Sequence, residues 1–221
     1  MPFKNFKKAV KKAAQSTWNN RTAVAATAVK GYRIARQLQG LINVEKKYSD
    51  VTSGASPILV NYSGAIVQLT NIAQGDAINQ RGGNSILMKS LMVRGYVEHN
   101  TGIPHSIVRV MLVLDTMNTG TAPTVANILS STGGVWAPSS LPNVTDKTRF
   151  KILSDKTFDL NNGANTIKSF KTYVKLNKHA KYTGSLGTDE FKNQLYMLYV
   201  SDVNASDPGI VYYARVGYYD N

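Results

Sequence analysis

From Pro57 to the end of this 221-residue chain, apolar residues recur at every second position, where before it they recur every third or fourth. Seven runs read as strands: SGAIVQLT, SILMKSLMVRGYVEH, SIVRVMLVLDT, RFKILS, TIKSFKTYVKL, NQLYMLYVSD and GIVYYARVGYY. KTFDL and KYTG are shorter candidates. Between them lie turn clusters, among them QGDAINQRGGN, NTGIPH, NTGTAPT, NNGAN and VNASDPG, rich in the Gly, Asn, Asp and Pro that reverse a chain. No helical pattern alternates with the strands, which excludes a parallel α/β sheet and leaves an all-β antiparallel sandwich of about eight strands.

The faces of these strands carry further information. In IKSFKTYVKL, Phe170, Val174 and Leu176 point one way, and Ile167, Lys171, Tyr173 and Lys175 the other, so one side is core and one is wet. In LYMLYV both sides are apolar, so this strand must be covered twice, by a long loop or by another subunit. Tyr196, Tyr212, Tyr213, Tyr218 and Tyr219 are candidate subunit-interface residues, because a tyrosine buries its ring and still hydrogen-bonds. The longest irregular stretch, from Asn118 to Asp146, reads as exposed surface.

Ahead of the strands stands a basic arm. Met1 to Lys47 holds 11 Lys and Arg against one acid, Glu45, whereas the remainder holds 15 bases and 12 acids. At about 100° per residue, Lys4, Lys7, Lys8, Lys11 and Lys12 fall on one arc of a helix, and Phe3, Phe6 and Val10 on another. A second helical segment carries Lys30, Arg33 and Arg36. The reading is an arm over residues 1–47, joined by a polar connection from Gly40 to Pro57 to a shell-like body over residues 48–221. Lys4, Lys7, Lys8, Lys11, Lys12, Arg21, Lys30, Arg33 and Arg36 are the candidate nucleic-acid contacts, since lysine and arginine neutralise phosphates without needing a base sequence. Phe3, Phe6, Val10 and Trp18 are the candidate packing residues of the arm. Aromatic residues among lysines also suit a transient membrane contact.

Little in the chain speaks for catalysis. The absence of cysteine excludes disulfides, thiolate metal sites and a thiol nucleophile. There is no G-x-x-x-x-G-K, G-x-G-x-x-G or G-x-S-x-G motif. His99 and His105 flank one turn and read as a plain hairpin end, with no metal expected. Arg81, Lys168, Lys178 and Lys181 read as scattered surface charge that could also face a shell interior.

The blocks RGGNSILMKSLMVRGYV, VRVMLVLDTMNTGTAPT, RFKILSDKTFDL, LYMLYVSD and RVGYYDN, in that order, resemble the capsid proteins of circular, replication-initiator-encoding single-stranded DNA viruses (circovirus-like). The resemblance covers most of Ala65 to Asn221. It implies an eight-stranded antiparallel jelly roll, a small icosahedral T=1 shell of sixty identical chains, packaged single-stranded DNA, a place in the virion and assembly in the host nucleus. The fold so implied is similar to that of satellite plant virus coat proteins, some of which package RNA. Those with N-terminal helices clustered beneath the shell are the closer comparison for this lysine-patterned arm. Carboxylates in such shells can hold structural calcium between subunits, for which Asp115, Asp155 and Asp202 are the candidates. No other cofactor is expected.

The expected protein is therefore a self-assembling capsid subunit and not an enzyme, with its arm on genome phosphates. Sixty arms at +10 would supply roughly 600 positive charges. The competing reading is a membrane-active or lectin-like β-sandwich that binds as a module.

Overall fold

The computed structural model describes residues 45–117 and 120–220, together with the separate helical positions Lys11, Gln15, Trp18, Val29, Lys30 and Gly31. The chain divides into two compact units, Met1–Val44 and Glu45–Asn221.

The second unit contains β1 (Lys46–Thr52), β2 (Ile58–Leu59), β3 (Ala65–Gln68), β4 (Ser85–Glu98), β5 (His105–Asp115), β6 (Phe150–Asn161), β7 (Ile167–Tyr182), β8 (Glu190–Lys192), β9 (Gln194–Ser201) and β10 (Gly209–Asp220). Sheet A runs β1-β10-β4-β7-β8, with β2 also paired to β10, and sheet B runs β3-β9-β5-β6. Every strand pairing is antiparallel. Without the two- and three-residue strips β2 and β8, eight strands remain. The first, eighth, third and sixth form one sheet, and the second, seventh, fourth and fifth form the other. That order is the jelly roll expected from the resemblance.

Three elements differ from the sequence reading. The stretch read as a polar connection contains β1, KKYSDVT, and this moves Lys46 and Lys47 from the arm into the body. Its alternation is concealed because the inward positions are Lys47, Ser49 and Val51. Lys47 is nevertheless buried, its ammonium 3.0 Å from Asp220 Oδ2 and 3.4 Å from Glu45 Oε2. The runs RFKILS and KTFDL are one strand, β6, kept continuous by a register shift opposite Leu112 and Val113. β7 continues past Leu176 to Tyr182, and Phe170, Val174 and Leu176 face inward as the pattern required, joined by Ala180 and Tyr182.

The sheets enclose one core. Ile86, Met88, Leu91 and Val93 of β4 and Ile210, Tyr212, Ala214, Val216 and Tyr218 of β10 meet Val108, Val110, Leu112 and Leu114 of β5 and Leu195, Met197 and Tyr199 of β9. Each fully buried aliphatic side chain contributes roughly 1.5–3 kcal/mol. Gly95 on β4 is required by its neighbours: a Cβ there would lie 2.9 Å from the Phe170 ring and 2.2 Å from the Val211 carbonyl oxygen.

A second apolar layer lies outside sheet B. Met111, Val113, Leu198 and Val200 pack against Ile128, Leu129 and Ala137 of the segment 116–149. This is the long-loop alternative for the doubly apolar strand, and every residue of β9 is buried. The segment read as exposed surface is thus two-sided. Its short helix α1 (Val125–Ile128) and the 3-10 turn at Ala137–Ser139 bury Ile128, Ala137 and Pro138, while Val135, Trp136, Leu141 and Val144 stay exposed. Arg109 clamps the segment down, with Nε and a terminal nitrogen donating to Asp155 at 2.8 and 2.6 Å and the other terminal nitrogen donating to the Pro138 carbonyl at 3.1 Å. At its base Arg149 donates to Asp115 from Nε at 3.0 Å and from a terminal nitrogen at 2.6 Å.

Arg81 departs furthest from expectation. It is neither surface charge nor a shell-interior contact, but wholly buried. It donates to the carbonyls of Ile72 (2.9 Å), Gly83 (2.6 Å), Leu186 (3.2 Å) and Gly184, and its guanidinium sits 4.0 Å from the Tyr182 ring centroid. Peptide dipoles here do the work of a counter-ion. Burial pulls its pKa down, partly opposed by Tyr182, Asp189 and Asp220.

Arg149→Ala should leave Asp115 charged and buried, and lower the stability of the dissociated subunit by about 3–5 kcal/mol in guanidinium unfolding. The same change should open the segment 116–149 to limited proteolysis before the rest of the body. A loss below about 0.5 kcal/mol would mean that the pair closes nothing.

Candidate nucleic-acid interface

While the outer side of sheet B is covered by its own chain, the outer side of sheet A carries a regular array of cations and tyrosines. Strand register places Thr52, Tyr213, Arg94 and Lys171 in one row, Asp50, Arg215, Met92 and Tyr173 in the next, and Tyr48, Gly217, Ser90 and Lys175 in the third. Alternation on each strand turns these side chains outward. Arg94, Lys171 and Lys175 are exposed, and Tyr48, Tyr173 and Tyr213 are 37%, 53% and 46% exposed.

Gly217 shapes this surface. A Cβ there would lie 2.7 Å from Ser90 Oγ, which would have to shift, and in ordinary contact with the Tyr48 ring at 3.4 Å. Beside it, Tyr48 and Ser90 help to line a concavity of about 460 Å³. Ser90 and Met92 line the floor, Tyr48, Tyr173 and Tyr213 the walls, and Lys46, Arg94 and Arg215 the rim. Asp50 is the acid in these rows, and it is held by Arg215 at 2.7 Å to each oxygen and by the Tyr213 hydroxyl. Those contacts, Arg215 first, hold the Asp50 carboxyl below its ordinary range. Among the described residues, no carboxylate lies within ion-pair distance of Lys46, Arg94, Lys171 or Lys175. The array is therefore cationic, aromatic and open.

Of the arm residues singled out from sequence, Lys4, Lys7, Lys8, Lys12, Arg21, Arg33 and Arg36 lie outside the described residues, as do Phe3, Phe6 and Val10. Lys11 and Lys30 are helical and exposed. Trp18, read as a packing residue, is 68% exposed. Trp18 follows Lys11 by seven residues and so shares the lysine arc of a helix. No described helix is long and apolar enough to cross a membrane.

The tyrosines need a larger correction. Tyr196, Tyr212 and Tyr218 are at most 4% exposed inside a single chain, so their rings offer no area to a partner; Tyr213 and Tyr219 keep exposed area. Tyr212 and Tyr218 belong to the core between the sheets. In each pair of adjacent tyrosines on β10, one faces in and one faces out.

The carboxylates considered for calcium are engaged within the chain. Asp115 pairs with Arg149, Asp155 with Arg109, and Asp202 Oδ1 accepts the Ile107 amide at 2.8 Å. At the hairpin end, His99 bonds Ser106 Oγ at 3.0 Å and the Ile103 carbonyl at 2.8 Å, and His105 lies 2.9 Å from Asp159. Lys168 is partly buried, and Lys178 and Lys181 are exposed. The hollow over Gly217 went unread in the sequence, although a glycine between outward tyrosines on one strand was a visible signal.

The family model described as the satellite tobacco necrosis virus coat protein matches residues 11–219. The chain belongs to this family. The coat protein of Maize white line mosaic satellite virus is 30% identical over 157 residues, which cover 69% of this chain and 71% of that one. Two solved structures show a weak likeness to the chain. That of Desmodium yellow mottle tymovirus has a TM-score of 0.40 at 10% identity, covering 80% of this chain and 87% of that chain. That of turnip yellow mosaic virus has a TM-score of 0.37 at 11% identity, covering 81% and 95%. The fold assignment rests on strand order and not on likenesses of that size. Membership corrects the first resemblance: the relatives are plant satellite virus coat proteins, not the circovirus-like group. The coat protein's role is structural, as a self-assembling component of the virion shell.

The buried tyrosines of the coat protein give it an alkaline limit. Burial pushes the Tyr212 phenol up to about 12 from an ordinary 10.0, and raises those of Tyr182 and Tyr218 as well. A pKa raised by folding means that stability is whole below pH ~10 and is lost as pH climbs through the folded value. Absorbance at 295 nm and near-ultraviolet circular dichroism, followed together, should show these phenolates forming only as the fold is lost. Complete tyrosine ionisation with the dichroism intact would contradict this placement.

Proposed function

We propose that this coat protein closes as sixty copies into a small icosahedral shell around a single-stranded nucleic acid. The polyanion is held by the lysine face of Met1–Val44 and by the open face of sheet A. The observation that carries the reading is the distribution of charge. The segment Met1–Val44 holds nine Lys and Arg and no acid, and the open sheet face presents cations without acidic partners. Surfaces so charged repel their own copies, so the packaged strand also serves to close the shell. Binding is to phosphate and does not depend on base sequence. The DNA genome and the nuclear assembly are expectations tied to the circovirus-like resemblance, and the proposal keeps only a single-stranded polyanion. It includes no catalytic step.

Replacing Lys4, Lys7, Lys8, Lys11 and Lys12 together by Gln removes five charges while keeping the helical pattern. Affinity for a single-stranded oligonucleotide should fall, and the slope of log K against log salt should flatten by about 3.5. Purified particles should show a lower ratio of absorbance at 260 and 280 nm, and digestion of released material with RNase or DNase identifies the nucleic acid. Particles of the variant with an unchanged ratio and an unchanged salt slope would overturn the arm's role.

A further inference from the structure

The hollow over Gly217 has a chemistry that phosphate binding alone leaves unused. Its walls are three tyrosine rings brought from β1, β7 and β10, while its floor offers one hydroxyl, Ser90 Oγ, and one polarisable thioether, Met92. Two of the walls, Tyr213 and Tyr48, are held by neighbours of their own chain. The Tyr213 hydroxyl donates to Asp50, which Arg215 holds through two bonds. The Tyr48 ring lies between two cations, with Lys46 Nζ 5.3 Å and the Arg215 guanidinium 5.9 Å from its centroid. Aromatic walls held in place by a surrounding network lose little freedom on binding. A volume of about 460 Å³ lies within the range of small-molecule sites, and Lys46 and Arg94 stand at the rim, where a chain of phosphates would pass.

We propose that this hollow holds one unstacked base of the packaged strand, sandwiched by tyrosine, with the flanking phosphates on Lys46 and Arg94. The proposal rests on the nucleic-acid reading above and adds to it a preference for single strands. A duplex keeps its bases inside the stack and has none to offer, whereas a single strand can turn one out onto an aromatic wall. Every base has a π-face, so the site is indifferent to sequence. A second copy of the coat protein is the poorer occupant. The chain carries 26 Lys and Arg against 13 Asp and Glu, and Asp50, Asp115, Asp155 and Asp220 are already engaged with cations of their own chain. A copy carries twice as many bases as acids, so set against this face it brings chiefly like charge.

The test uses dissociated full-length coat protein and three probes: a 12-nucleotide single strand, a blunt duplex of the same length, and linear polyphosphate of matched charge. Wild type should bind the single strand at least fivefold more tightly than polyphosphate, the low end of what one base stacked on an aromatic ring supplies. The double variant Tyr48→Ala/Tyr173→Ala should reduce that ratio towards one and leave polyphosphate affinity unchanged. Tyr173→Phe, which keeps the ring, should retain the preference. In wild type, a 4-thiouridine-containing strand should photocross-link to peptides carrying Tyr48, Tyr173 or Tyr213. This last readout decides the matter even if the double variant fails to fold. Survival of the preference in a folded double variant, or cross-links confined to Met1–Val44, would refute the base site while leaving phosphate binding by the arm intact. Wild type that binds none of the three probes would refute the nucleic-acid reading itself.

Discussion

The ion pair between Asp115 and Arg149 joins the two ends of an excursion that leaves sheet B after β5 and returns at β6. Both side chains are nearly buried, at 6% and 12% exposure, so neither charge has much water to fall back on. With the base closed, the segment 116–149 can lie across sheet B, where Arg109 fixes its far side to Asp155 and to the Pro138 carbonyl. The burial of β9 on both faces follows from that closure. The second sheet has no such cover from within the described body, and its outer face is written in lysine, arginine and tyrosine. The fold thus sorts its two outer faces into one that is closed and one that is open.

Charge is sorted in the same way. The acids of the body serve largely as internal fastenings: Asp220 holds Lys47 and the Gly82 amide, Asp155 holds Arg109, Asp115 holds Arg149, and Asp50 holds Arg215. Among the described residues, Lys46, Arg94, Lys171 and Lys175 lie where no acid comes within ion-pair distance. A nearly balanced composition can therefore present a strongly unbalanced surface, and Arg81 sharpens the contrast by being caged by carbonyls and contributing nothing to it. The charge this surface presents follows from the placement of its acids more than from the number of its bases.

Much of this was legible in the sequence. The long strands β4, β5, β7, β9 and β10 announced themselves because their inward positions are apolar. The doubly apolar β9 correctly demanded two covers, and the two-sheet sandwich followed from strand count and turn chemistry. β1 escaped because its inward positions include Lys47 and Ser49, and the partner that makes Lys47 tolerable, Asp220, is 173 residues away. Arg81 escaped for a similar reason, since part of its cage comes from Gly184 and Leu186, more than 100 residues on. The tyrosines were misassigned by treating aromatic content as surface. Alternation with Ile210, Ala214 and Val216 already placed Tyr212 inside. The hollow over Gly217 needs three strands in register, and a single chain read in order does not show register between distant strands.

The place of β10 in sheet A has a consequence for synthesis. It lies between β1 and β4 and follows every other described strand in the chain. Until it leaves the ribosome, β1 has no strand partner and β4 lacks one neighbour. The open face, with Tyr213, Arg215 and Gly217 at its centre, does not yet exist. The long wait for β1 to find a partner made some 170 residues later makes the closing of this sheet a late, non-local step. A chain cut short before β10 therefore lacks this face, and its unpaired β1 and β4 edges stay open to pairing with other chains.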